Sequence, residues 1–290
     1  MIYYVLIFLA ALGCAVTFAL TKVYQIKQGN TLEFGVFFNF ISGLFGAILY
    51  FAICRFNVEI TPFSLVIALL FTLFFGAYTI IGFKIMSLGS MAVYTIFLML
   101  GGMVLPYFYG LIFLNEEITA VKVIALAMMI YAIILQKEDD GEKGRALFYI
   151  LCIAVFILNG GCSIVSKVHQ ITEKFEVVLA DGLILLKNIL QFLIFGAMVP
   201  FVVKQGEKIF PVNAKIYLLI IAITIVNNVA YMLQLVCSSY IPATVQFPVL
   251  SGGTIVFSAL LGLICFKEAL SRKQIAGIIV CVISTILFVI

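Results

Sequence analysis

YGLIFLNEEIT at residues 109–119 returns later in the chain as LGLICFKEALS at 261–271. Aligned, the two segments pair Gly110 with Gly262, Glu116 with Glu268 and Thr119 with Ser271. A second match lies upstream of each, TKVYQI at 21–26 and SKVHQI at 166–171. Two matches in the same order, both keeping their polar positions, mark the chain as a duplication, and an internal repeat governs the reading of everything around it.

Outward from these segments the sequence is a series of apolar runs. Hydrophobic residues make up 65% of the 290 and charged residues 10%, where a soluble domain has about 45–50% and about 25%. Runs of roughly 20 apolar residues span about 30 Å of hydrocarbon as helices, which satisfy their own backbone groups there. The runs predict helices at 3–21, 34–54, 62–84, 90–114 and 118–136, then 147–166, 177–203, 214–237, 242–266 and 272–290. KEDDGEKGRA at 137–146, the longest strongly polar stretch, divides them five and five. The expected organisation is therefore a first repeat over 1–136, a linker over 137–146 and a second repeat over 147–290. Because five is odd, the second copy enters the membrane from the opposite side. The expected fold is an all-α integral membrane protein of ten transmembrane helices built as two inverted repeats, an architecture that places a site between its halves. MIYYVLIFLAALG at the start has no Lys or Arg ahead of its apolar run, so the first helix is expected to stay in place.

Ten helices in a five-plus-five repeat, with GLIFLNEEIT (110–119) and GLICFKEALS (262–271) at the junction of the last two helices of each half and Pro248 in the ninth, resemble the EamA-like family of the drug/metabolite transporter superfamily. The resemblance covers the whole chain and implies a small-molecule carrier, with amino acids and related metabolites as cargo and export as the direction. It implies a structural role for Glu116 and Glu268, capping the starts of helices five and ten, where the macrodipole favours an acidic residue. The small four-helix multidrug members carry a membrane-embedded Glu in their first helix; residues 3–21 hold none.

Polar side chains inside hydrocarbon are costly and face a protein interior or a wet cavity. On helix eight, Thr224, Asn227, Asn228, Tyr231, Gln234 and Ser238 fall within an arc of about 120° at helical spacing. Gluing neighbouring helices is one reading of such a stripe, and a cavity wall is the favoured one. Helix one carries Thr17, Thr21 and Tyr24, helix six Asn159, Ser163, Ser166 and Gln170, and helix nine Ser251, Thr254 and Ser258. These stripes predict a cavity among helices one, three, four, six, eight and nine. Gly101-Gly102 and Gly252-Gly253 suit close helix packing, or close approach of a substrate. Lys187 sits deep in helix seven, sharing an arc with Asp181, Asn188 and Gln191. Three readings are open for it: a polar pairing with Asp181 or a carbonyl, substrate recognition, or snorkelling to the interface. The substrate-contact candidates are Lys187, Asn159, Ser163, Asn227, Tyr231, Gln234 and Ser251, and a deep Lys without a deep acid favours zwitterionic or anionic cargo.

Other chemistries find little footing. One His and three Asp, two of them in the linker, supply neither a nucleophile with its base nor paired carboxylates, so no enzyme is expected. The seven cysteines lack metal or disulfide spacing and are expected as buried filler; His169 is expected at a solvated interface. No metal or cofactor is implied, and no GxxxxGK[ST] segment points to ATP. The net charge of +4 suits anionic lipid and not nucleic acid. The function expected is secondary transport in the inner (cell) membrane; a multidrug or nucleotide-sugar-like carrier of the same fold and a non-transporting scaffold are the alternatives. Twelve Lys and Arg fall in one set of loops and four (Arg55, Lys122, Lys167, Lys174) in the other, which places both termini outside.

Overall fold

A computed structural model describes residues 2–29, 31–88, 91–135, 146–202, 213–267 and 271–289. These form ten helices: α1 (Ile2–Gln28), α2 (Leu32–Ile53), α3 (Pro62–Leu88), α4 (Met91–Phe113), α5 (Ala120–Leu135), α6 (Ala146–Ile171), α7 (Ala180–Val202), α8 (Ala214–Ser238), α9 (Ala243–Phe266) and α10 (Arg272–Val289). Nine of them are long and apolar enough to cross a membrane, and α5, at 16 residues, is the shorter one. Large apolar side chains stand exposed on the outer faces, among them Leu218, Ile264 and Phe201, which water would not tolerate over so wide a surface and lipid does. The chain is an all-α, multi-pass membrane protein. Residues 137–145 of the expected linker, and Glu268, lie outside the described residues.

The expected helix positions hold, but α1 and α6 run on to Gln28 and Ile171, well past the ends of their apolar runs. Their last turns carry TKVYQI and SKVHQI, whose polar groups are packed inward and so extend the helices instead of ending them. Tyr24, Lys167 and His169 are all buried there.

α1 packs between α8 and α9, and α6 between α3 and α4; α2 lies on α7, α5 on α10, and α4 on α9. These principal pairings are unchanged when every helix number is moved by five. Glycines set the closest approaches. A Cβ on Gly101 would collide with the Phe156 carbonyl of α6, and one on Gly43 would meet the Phe192 backbone of α7. Gly252 and Gly253 likewise leave room for Thr285 and Met129 and for Ala11.

Within the described residues, the two copies of the repeated segment share a left-handed residue at the same place. Asn115 and Lys267, aligned positions, have φ of 52° and 54°. The Gly110 carbonyl accepts the N–H groups of Leu114 and Glu116 at 3.2 and 3.1 Å, whereas the Gly262 carbonyl accepts that of Lys267, the position aligned with Asn115. Thr119 Oγ1 then accepts the N–H of Lys122 at 3.2 Å to cap α5. Ser271 caps α10 reciprocally with Gln274, at 3.2 and 2.8 Å.

Candidate functional site

The polar stripes converge on one cavity of about 370 Å³ in the middle of the bundle. The stripes of α1, α6 and α8, however, each split into a cavity-facing part and a packing part. On α8, Asn227, Tyr231 and Gln234 line the cavity. Their stripe-mates turn to neighbouring helices: the Thr224 hydroxyl lies 2.9 Å from that of Ser42, Asn228 Oδ1 accepts from Lys187 at 3.3 Å, and Ser238 Oγ accepts from Gln246 Nε2 at 2.8 Å. On α6, Asn159 and Ser163 line the cavity, while Ser166 is buried against the Tyr231 hydroxyl at 2.8 Å. Gln170 lies beyond it and reaches the His169 ring. On α1, Thr17 and Thr21 face the cavity, whereas Tyr24 is buried and donates to the Phe34 carbonyl at 3.1 Å. Ser251, Thr254 and Ser258 of α9 all line it.

All seven candidate residues thus meet around one space, but the set of helices is larger than expected. Phe38 and Ser42 bring in α2, and Lys187 and Gln191 bring in α7, making eight helices with α5 and α10 outside. Asn39 and Ser42, the two mid-helix polar residues of α2, form too short a stripe to mark it in the sequence. Part of the wall is aromatic, with Phe71 packed on Tyr231 at 4.9 Å and Phe75 on Tyr78 at 5.3 Å between ring centroids. Cys14 and Cys162 also line it, and Cys265 is exposed, so the cysteines are not uniformly buried filler.

Lys187 is 3% exposed, which removes the snorkelling reading. Its expected association with Asp181 is absent too. Six helical residues separate the two by about 9 Å along the axis, and Asp181 Oδ1 instead accepts the N–H of Gly182 at 2.9 Å. The ammonium is held by Asn188 Oδ1 at 3.2 Å and Asn228 Oδ1 at 3.3 Å, with its nitrogen 5.3 Å from the centroid of the Phe75 ring.

Beside one end of the cavity lies a dense, buried polar seal in which α6 meets the α8–α9 turn and both meet the first half of the chain. Lys167 Nζ donates to the carbonyls of Ser238 and Ile241, both at 2.6 Å, in the α8–α9 turn. Lys167 is buried and does not behave as the loop cation the charge count made of it. Beside it, Glu116 caps a helix, but the helix is α9 and not α5. Its two carboxylate oxygens accept the N–H groups of Ala243 and Thr244 at 2.7 and 2.8 Å. Pro242 offers α9 no capping side chain, and Thr119 already serves α5, so the acidic group satisfies the neighbour whose first turn is unprovided.

His169, expected at a solvated interface, is fully buried in the same seal. Gln170 Nε2 donates to its Nδ1 at 2.9 Å, which leaves the proton on Nε2 to face Ser64 Oγ at 2.9 Å. Ser64 also accepts the Val178 N–H at 3.0 Å. At the other end, Lys22 and Gln25 of the matching TKVYQI segment are cavity-lining. Among the described residues no three His, Cys, Asp or Glu lie together so as to hold a metal.

No family model matches the sequence, and no curated protein matches it. Solved structures do match in fold. A crystal structure of another protein is similar over 98% of this chain and 95% of its own, with a TM-score of 0.73 and 16% identity.

Proposed function

We propose that this chain is a secondary transporter of small metabolites in the inner membrane, made of two inverted five-helix repeats that expose one central cavity to each side in turn. The observation that carries the reading is the asymmetry of that cavity. It is sealed at one end by Lys167, His169 and Gln170 together with Glu116, while of the counterparts of the first three by the repeat Lys22 and Gln25 line the cavity at the other end and Tyr24 is buried against the Phe34 carbonyl. Two states that exchange these roles are what alternating access requires. The helix pairings that survive a shift of five support the duplication, and the GLIFLNEEIT and GLICFKEALS segments support kinship with the EamA-like carriers, for which amino acids or related metabolites leaving the cell are the expected cargo.

The seven lining residues named above are the proposed contacts with cargo. The reading requires no cofactor, metal, nucleic acid or catalytic group. A panel of radiolabelled amino acids, organic acids, cationic drugs and nucleotide sugars, screened for uptake and efflux in proteoliposomes with and without a pH gradient, tests it. Saturable flux of one class above protein-free liposomes supports it, and flux of cationic drugs or nucleotide sugars alone would replace the metabolite assignment. No flux of any class would favour a membrane scaffold.

A further inference from the structure

The deepest charge in the cavity is the Lys187 ammonium. Lys187 and Lys22 line the cavity, and among the described residues no Asp or Glu does. An ammonium group has three donors, and for Lys187 two are taken by Asn188 and Asn228, at 3.2 and 3.3 Å. These are long contacts for a charged donor, which ordinarily closes to about 2.7–2.9 Å on a carboxylate. Among the described residues no third acceptor and no carboxylate reaches it, so a buried cation is held by neutral amides with one N–H left over.

The surroundings are set for the same ligand. Asn188 and Asn228 turn their oxygens to the ammonium and leave both amide nitrogens buried without a partner. One helical turn from Lys187, Gln191 lines the cavity with its nitrogen fixed by Asn39 at 3.1 Å and its oxygen buried and unpartnered. Facing both are the rings of Phe71, Phe75, Tyr78 and Tyr231, suited to a flat apolar body. About 370 Å³ lies at the small end of ligand sites, which run from about 300 to 1,000 Å³.

We infer that Lys187 anchors an anion-binding subsite whose ligand is a small organic monoanion, a carboxylate on a flat ring, in preference to an organic cation or a zwitterion. That this ligand is cargo rests on the transport reading above; that it binds does not. An amine would meet the Lys187 ammonium with no carboxylate among the described lining residues to receive it, and the repulsion is large where the dielectric is low. A carboxylate would take the third Lys187 donor and neutralise a charge otherwise buried without compensation.

The test is calorimetric titration of the purified full chain with benzoate, benzamide, benzylamine and phenylalanine. Benzoate is expected to bind at least tenfold tighter than each of the others. Lys187→Met should lose at least tenfold in benzoate affinity and nothing for benzamide, and Lys187→Arg should recover most of the loss. Equal binding of benzamide or benzylamine, or tighter binding of phenylalanine, overturns the inference on the unmodified protein even if Lys187→Met does not fold. Benzoate counterflow in proteoliposomes separates the two claims. Binding without counterflow leaves the subsite and removes the transport reading, whereas phenylalanine counterflow indifferent to Lys187→Met removes the subsite and leaves transport.

Discussion

Glu116 and Thr244 lie in opposite halves of the sequence, yet an oxygen of the first accepts the backbone N–H of the second at 2.8 Å. The bond ties the α4–α5 turn to the first turn of α9, where a negative group also meets the positive end of the helix dipole. Loss of such a cap costs about 1–2 kcal/mol. Glu116→Ala should therefore lower the melting temperature in detergent clearly, while Glu117→Ala, at the exposed neighbouring position, should not. Equal effects of the two would show that the cap carries no stability.

Lys167 should hold the same end shut. Lys167→Met leaves the Ser238 and Ile241 carbonyls without their buried donor, and each unsatisfied group costs about 1–3 kcal/mol. The native Cys237, buried beside this turn, is the reporter. With the other six cysteines replaced, its maleimide labelling should be slow in the parent and at least several-fold faster in Lys167→Met. An unchanged rate would mean that Lys167 does not guard this end.

Asn227 and Asn228 are neighbours with different tasks, and leucine should expose the difference. Asn227→Leu changes a cavity wall, so transport should fall while thermal stability stays near the parent's. Asn228→Leu removes one of the two amides that hold Lys187, a hydrogen bond to charge worth about 1.5–3 kcal/mol, so stability should fall first. Paired melting curves and flux assays of the two variants check this, and matching phenotypes would contradict it.

Orientation follows from the loop charges. With Lys167 withdrawn into the seal and Lys22 in the cavity wall, three cations of the minority set remain, Arg55, Lys122 and Lys174, against eleven. The bias toward external termini is therefore stronger than the first count. C-terminal fusions should activate a periplasm-only reporter and leave a cytoplasm-only reporter silent; the reverse pattern would overturn the assignment.

The ten helices were legible because hydrocarbon leaves the backbone no alternative, and the cavity was legible because polar atoms at helical spacing need an explanation there. What hydropathy could not tell is which neighbour a polar group serves. Asn227 and Asn228 share one stripe and separate only when α2 and α7 are in place. Lys187 and Asp181 share an arc, but the rise between them prevents a pairing that a helical wheel suggests. Glu116 sits at the start of one helix and caps another, since the need it meets, the bare first turn after Pro242, lies 127 residues further along the chain. His169 looked solvated because its partner, Ser64, comes from a different helix.

The central claim, that one cavity opens to either side in turn, is tested most directly on the native Cys14, which lines it. In a protein with Cys14 as its single cysteine, a membrane-impermeant thiol reagent is added to right-side-out and to inside-out vesicles, and the two labelling rates are compared with and without Lys167→Met. The account predicts labelling from both sides, slower through the end sealed by Lys167 and Glu116, and accelerated on that side alone by the substitution. Labelling confined to one side in both proteins would show a fixed pocket and contradict it.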